Sequence, residues 1–543
     1  MNLHNLKTLS ELLHCCADAY RLQPAVGDWT YTELEAHVCT RAHELRVEYP
    51  VGTPVVLDRP AGPEWVLEFF AILEAGLVVA PLLPGLPRDR VETLIGASAP
   101  AGTALLLCTS AARERPLVVR LTHANLLADL VALRGARQVE PGETIASVLP
   151  PAHLFELMCG ILGPMLCGAY IVHQGVPTPD RILRRLRATQ AQRVLLVPAL
   201  FEMVARLLAD DRSESPREIA ARLRCSPDPE RAAVHARELL GPRFKSFVVG
   251  GAALHPAWAE VAERLGFGLE VGYGLSEAGP VVSMGDATRL PPGSCGRALP
   301  GIEVAIDPRG EILVRGPNVM AGYHRDRDAT AVVLRNGWLH TGDRGRLDSS
   351  GHLFIEGRFK DAIVPSTGET IWPEEIEEHY ESDLFADHCV GARTERGGND
   401  VAVLFVVPAV ADPDALAAEF RRLRRAAPDR GRVKEMCILD GPLPRDPGGD
   451  VRRRALASNR ERELRRLIEE ATGESLAPYS IDDDLMAELC IDSLAALRVL
   501  ALVEQHFRIR LPDDRLGDFR SLRRLLDEID AIVAAGSISC ASA

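Results

Sequence analysis

Near the C-terminus, Asp492-Ser493-Leu494 puts a serine directly before a run in which Leu494, Leu497, Leu500 and Ala501 recur at helical spacing. A hydroxyl at the start of such a helix is exposed, and the helix dipole there favours a negatively charged group. The same pattern also describes an ordinary N-cap serine. A second stretch, Gly441 to Leu456, reads GPLPRDPGGDVRRRAL. It has the frame of a tight turn that presents a reactive lysine ahead of arginines, yet Asp450 stands at the lysine's place. Lysine is scarce along the whole chain and nearly all positive charge is arginine, so each absent lysine is informative.

These residues need elements to hold them. At 543 residues the chain exceeds the roughly 250–300 residues that one core usually supports, so several domains are expected. The composition, 47% hydrophobic and 25% charged, is that of a soluble globular protein with material for large cores. A formal charge of −14 argues against a nucleic-acid partner, which would require a basic face. Twelve cysteines, with Cys15 and Cys16 adjacent and no CxxC pair, read as free thiols of a cytoplasmic protein. No basic segment precedes a long apolar core at the N-terminus, so no signal peptide is expected. The most apolar window, VLEFFAILEAGLVVAPLL, contains Glu68 and Glu74 and breaks at Gly76; it reads as a buried helix and strand, with no membrane span.

Up to about residue 357, apolar helical segments alternate with the β-branched runs TPVVLDRP, ALLLCTS, RVLLVPA and SFVVGG. That alternation predicts an α/β architecture with largely parallel strands. From about residue 286, short strands with Gly/Pro turns predict a β-rich subdomain. Residues 358–455 read as a smaller α+β unit with its own strand, VAVLFVVPAV, and residues 456–535 as a last domain, followed by a disordered tail over 536–543. The arginine-rich RRRALASNRERELRRLIEE joins a linker to the first helix of that last domain, and such a helix is usually a solvated face.

The stretch DDDLMAELCIDSLAALRVLALVEQHFRIRLPDD resembles acyl and peptidyl carrier domains, which are four-helix units. The resemblance implies that Ser493 carries 4'-phosphopantetheine, installed by a phosphopantetheinyl transferase. Cys490 stands where that family usually has glycine. Upstream, LPPAHLFELMCGILGPMLCGA (149–169), VVGGAAL (248–254), VGYGLSEAGPVVS (271–283) and NGWLHTGDRGRLDSSGHLFIEGRFKDAIVPSTGETIWPEEIEE (336–378) follow in order. Together they closely resemble the acyl-adenylate-forming superfamily, which includes acyl-CoA synthetases and nonribosomal-peptide adenylation domains. WTYTELEAHV and ILEAGLVVAPLLP fit its N-terminal motifs. The implied fold is a large multi-layer α/β domain over 1–357 and a small mobile C-terminal subdomain over 358–455.

Such enzymes join a carboxylate to the α-phosphate of ATP, release pyrophosphate, and pass the acyl group to a thiol. By resemblance Ser276 and Glu277 act at the α-phosphate and Mg²⁺, Tyr273 packs near adenine, Asp343 and Arg358 reach the ribose, and Lys360 is the hinge of the small domain. Taken singly, each of these charged residues is also ordinary salt-bridge material. His153 matches the motif lining the acyl pocket, with a buried structural histidine as the alternative. The aspartate that amino-acid-activating relatives use to hold an ammonium is absent from HLFELMCG, which leans the substrate toward a fatty or aryl carboxylic acid.

Three departures stand against that pattern. The phosphate loop, located by the intact LTHANL (121–126), reads CTSAARERPLVV. Thr109 and Ser110 survive, Ala111, Glu114 and Val118 hold glycine positions, and Leu117 holds the lysine position. Glycines there let backbone N–H groups turn toward phosphates, and Glu114 beside a triphosphate is repulsive. The interval before ALLLCTS is much shorter than in relatives. At Asp450, the family lysine that offsets the charge of two anions in the adenylation step is replaced by an acid. Two functions follow. One is an adenylation–carrier didomain that activates a carboxylic acid and loads it on its own carrier, in full or from a preformed acyl-adenylate. The other is an inactive scaffold that presents the carrier to a downstream synthase, reductase or condensation enzyme.

Overall fold

A computed structural model of the chain describes residues 6–83, 86–108, 117–136, 139–173, 178–210, 215–363, 370–394, 400–428, 431–439, 441–445 and 451–453, with single positions at 456, 464, 467, 468, 499, 503, 524 and 525. Thr109, Ser110, Asp450, Ser493 and the 536–543 tail lie outside the described residues, as does most of the carrier. The described part of the chain divides into two compact units, residues 1–360 with 445–451, and residues 361–444 with 452–543. The first unit runs to Lys360, and an antiparallel ladder that pairs Asp343 with Arg358 belongs to it.

Five parallel strands form the heart of the first unit: Gly268–Gly274, Ser246–Val249, Arg193–Leu196, Thr144–Ser147 and Tyr170–His173, in that spatial order. Both faces are covered, so the strands are apolar on both sides, as parallel sheets require. Ile145, Ile171, Leu195 and Val248 enter one core. Ala146, Val194, Leu196, Phe247 and Val249 enter the other, where Phe201 and Trp258 from neighbouring helices pack. The helix Pro63–Glu74 is buried nearly all round, and the chain turns through Gly76 (φ +76°) into the strand Val78–Pro81. Among the described residues no helix is long and apolar enough to cross a membrane.

The parallel run ends where the chain doubles back after Gly274. A Cβ at Gly274 would stand 1.8 Å from the Pro280 carbonyl oxygen, so only glycine admits this reversal. From Val281 the strands are antiparallel and continue the same sheet through Val281–Asp286, Ser294–Ala298, His352–Arg358, Trp338–Leu347, Glu311–Arg315 and Glu303–Ile306. A separate four-stranded sheet holds Pro54–Leu57, Val78–Pro81, Thr103–Cys108 and Val118–Thr122, the last pair antiparallel.

In the second unit, Phe385–Thr394 and Asp400–Pro408 pair antiparallel and Glu435–Ile438 joins in parallel. Its core gathers Ile376, Tyr380, Val390, Leu404, Val406, Leu416 and Leu423. Arg453, with 13% of its side chain exposed, donates to both Glu377 oxygens at 2.7 and 2.9 Å and to the Val390 carbonyl at 2.9 Å. Glu374 lies 3.3 Å from the same guanidinium, and burial pushes its carboxyl up to about 7. Further along, Leu464, Leu467, Ile468, Val499, Val503 and Leu525 are all buried.

Candidate functional site

Three elements converge on Asp343. The strand Gly268–Gly274 delivers Tyr273, whose phenol donates to Asp343 Oδ2 at 2.6 Å. The ladder between Trp338–Leu347 and His352–Arg358 sets Arg358 opposite Asp343, with Arg358 Nε 3.2 Å from Oδ1. Gly342, at φ +74°, takes the left-handed conformation that turns the Asp343 backbone N–H onto Thr341 Oγ1 at 3.1 Å, while the Thr341 hydroxyl donates to the Ile312 carbonyl. Burial pushes the Tyr273 phenol well above its usual value, and the Asp343 carboxylate adds to the shift. The phenol is therefore a fixed donor. Asp343 itself is 7% exposed. A carboxylate has about four lone-pair sites, and Tyr273 and Arg358 are two of the groups that meet this one.

Ser276 and Glu277 lie in the single 3-10 turn Ser276–Ala278, just past Tyr273. The Tyr323 hydroxyl donates to Glu277 Oε1 at 2.8 Å, and the Met320 N–H donates to the Glu277 carbonyl at 2.8 Å. Tyr323 is positioned in turn by the strand Val118–Thr122. Val118 accepts from His324 N at 2.7 Å, Arg120 exchanges bonds with Ala321 and Gly322, and Val119 forms a bridge with Tyr323. Asn125 of LTHANL ties the same segment down by donating to the Pro317 and Val319 carbonyls, both at 2.8 Å. The sequence reading missed Tyr323. It lies in the short run MAGYH, which carries no chemical signal of its own.

Leu117 opens this strand and packs, partly buried, on the main core. His153 caps a turn from Pro150 and accepts from Leu157 N at 3.0 Å, leading into a π-helical segment, Glu156–Leu162. Phe155 lies against Gly250 of VVGG, where a Cβ would meet the ring at 3.0 Å. Lys360 is exposed in the one-turn Phe359–Asp361, at the boundary between the units.

A carboxylate–phenol–guanidinium cluster can accept and donate hydrogen bonds to a polyhydroxylated ligand. The family described as AMP-binding enzyme matches residues 16–117 and 99–324. The chain belongs to the AMP-binding enzyme family. A phosphopantetheine attachment site matches residues 462–529, so an AMP-binding domain is followed by a carrier segment. Similar proteins include an indoleacetate–CoA ligase from Aromatoleum aromaticum, 30% identical over 418 residues (74% of this chain, 73% of that one). A feruloyl-CoA synthase from an Amycolatopsis species is 27% identical over 441 residues, covering 70% and 84%. Among solved structures, ATP-bound MatB from Rhodopseudomonas palustris superimposes with a TM-score of 0.70 at 21% identity, over 83% of this chain and 98% of that one, which establishes the adenylate-forming fold. Membership of the AMP-binding family implies ATP use, and the carrier segment implies a 4'-phosphopantetheine arm and the transferase that installs it.

Proposed function

We propose that this chain is an adenylation–carrier didomain that holds an acyl-adenylate in its large unit and passes the acyl group to its own carrier at Ser493. The Tyr273–Asp343–Arg358 cluster supports this reading, because a buried carboxylate held by a phenol and a guanidinium is a donor and acceptor set suited to ribose hydroxyls. In this role Asp343 and Arg358 bind the ribose hydroxyls and Tyr273 lies by the adenine. Ser276 and Glu277 face the α-phosphate, with His153 at the acyl pocket and Lys360 as hinge. Mg²⁺ commonly takes one or two carboxylates plus phosphate oxygens, and Glu277, held by Tyr323, fits that donor set. When bound, the phosphopantetheine arm supplies the thiol that accepts the acyl group. Tethering that arm to the same chain gives it a high effective concentration. The acyl group is a fatty or aryl carboxylic acid, and the setting is lipid or secondary-metabolite synthesis in the cytoplasm.

A second reading, a pseudoenzyme scaffold that presents the carrier to a synthase, reductase or condensation enzyme, is favoured by one observation. Leu117, at a lysine position of the phosphate loop, packs into the apolar core, and Asp450 reverses the charge at the other lysine position. Both losses weaken adenylate formation, so we expect transfer to outlast activation. Holo-protein treated with ATP, Mg²⁺ and pooled acids, and separately with synthetic acyl-adenylates, separates the readings by intact mass. A gain on Ser493 from adenylates supports the didomain enzyme, and no gain from either leaves the scaffold.

A further inference from the structure

The turn that aims Asp343 is held from a neighbouring strand. Trp338–Leu347 and Glu311–Arg315 pair antiparallel, with Glu311 opposite Arg344 and Leu313 opposite His340. Between those two pairs Thr341, Gly342 and Asp343 stand against Ile312 alone, so the ladder bulges at this point. A bulge re-aims the side chains of the strand that carries it and is a common device beside functional sites. This one contains Gly342, at φ +74°, and Asp343, which faces Tyr273 and Arg358.

The Glu311 side chain fills the bulge. Its Oε1 accepts the Gly342 backbone N–H at 3.1 Å, and its Oε2 accepts from His340 Nδ1 at 2.9 Å and from Arg309 Nη2 at 3.1 Å. Glu311 is 6% exposed, and its backbone is fixed as well. Its N–H donates to Asp307 Oδ1 at 2.8 Å, and its carbonyl accepts from Asp307 N at 2.9 Å. Burying a carboxylate is costly unless it is paired and hydrogen-bonded. Two of the donors that meet this one, Gly342 and His340, come from the bulged strand on either side of Thr341. Thr341 braces the bulge from within, donating to the Ile312 carbonyl at 2.8 Å and accepting the Asp343 N–H at 3.1 Å, and the Gly342 N–H goes to Glu311.

We propose that Glu311 is a positioning residue for nucleotide binding: by holding the Gly342 N–H it fixes the bulge in the shape that turns the Asp343 carboxylate toward the ribose hydroxyls. This inference rests on the nucleotide role of Asp343 proposed above. Glu311 acts through the backbone of Gly342 and not on the ligand, while His340 and Arg309 hold its carboxylate against the turn. A side chain that only stabilised the strand pair would affect every nucleotide alike. One that sets Asp343 affects the contacts to the ribose hydroxyls and leaves the rest of the ligand's affinity in place.

The test uses full-length protein and isothermal titration calorimetry with AMP and 2′,3′-dideoxy-AMP. Wild type should bind AMP at least about tenfold tighter than dideoxy-AMP, or about 1.4 kcal/mol. In Glu311→Leu that preference should fall below about threefold, with the affinity for dideoxy-AMP unchanged. Glu311→Gln, which keeps an acceptor for the Gly342 N–H, should retain most of the preference. If the melting curve shows that Glu311→Leu does not fold, Glu311→Asp, whose shorter side chain draws back from Gly342, takes its place with the same expected loss. An undiminished preference in Glu311→Leu or Glu311→Asp, an equal loss for both nucleotides, or no retention in Glu311→Gln overturns the positioning role alone. A wild type that binds AMP and dideoxy-AMP equally, or binds neither, overturns the ribose reading of Asp343 and this inference with it.

Discussion

Replacing Asp343 with asparagine separates a nucleotide clamp from a structural ion pair. The side chain keeps its shape, but one acceptor oxygen becomes a donor and the charge facing Arg358 is lost. Hydrogen bonds to a charged group contribute about 1.5–3 kcal/mol each, so losing one of two ribose contacts should weaken AMP binding roughly 10- to 150-fold. The folding cost is a separate quantity: the Arg358 side chain is 37% exposed but that of Asp343 only 11%, so this half-buried pair should cost about 1–3 kcal/mol of stability when broken. Titration calorimetry with AMP, alongside urea denaturation of wild type and Asp343→Asn, measures both quantities. A variant that loses stability but binds AMP within about threefold of wild type would refute the clamp and leave Asp343 a structural residue.

Other perturbations carry their own signs. Folded Glu156 keeps a proton, up to about pH 8, that the unfolded chain loses near its ordinary value of 4.5, so this group's contribution to stability falls as pH rises through that window. Glu156→Gln should remove that slope, gaining on wild type by as much as about 5 kcal/mol between pH 4.5 and 8, as read from paired denaturation curves; parallel curves would show that Glu156 is ionised. Tyr323→Phe deletes the donor to Glu277 and should weaken Mg²⁺-dependent ATP binding about 2- to 13-fold, with AMP binding unchanged; equal loss with and without Mg²⁺ would contradict a role at the metal. Arg453→Met leaves the half-buried Glu374 and Glu377 without their cation and should destabilise the second unit by about 1–3 kcal/mol in limited proteolysis; unchanged protection would mean the pair is dispensable.

The order of motifs and the change from long helices to short strands and Gly/Pro turns made the α/β core and its antiparallel continuation legible in the sequence. The switch was expected near 286 and occurs at Val281, because the reversal after Gly274 depends on a backbone approach to Pro280 that no residue pattern announces. Tyr273, Asp343 and Arg358 could be named in advance because each lies in a local motif. Tyr323 could not, since it reaches Glu277 from 46 residues away through strand pairing. The π-helical widening over Glu156–Leu162 leaves no mark on the apolar spacing of the sequence.

The most direct measurement is single-turnover transfer from a synthetic acyl-adenylate to holo-protein, followed as acyl mass on Ser493 in wild type and in Asp343→Asn. The account predicts rapid loading of wild type, loading slowed at least tenfold in the variant at subsaturating adenylate, and little or no loading of either from ATP and free acid. Equal rates in the two proteins, or no acyl mass on Ser493 from any adenylate, would contradict it.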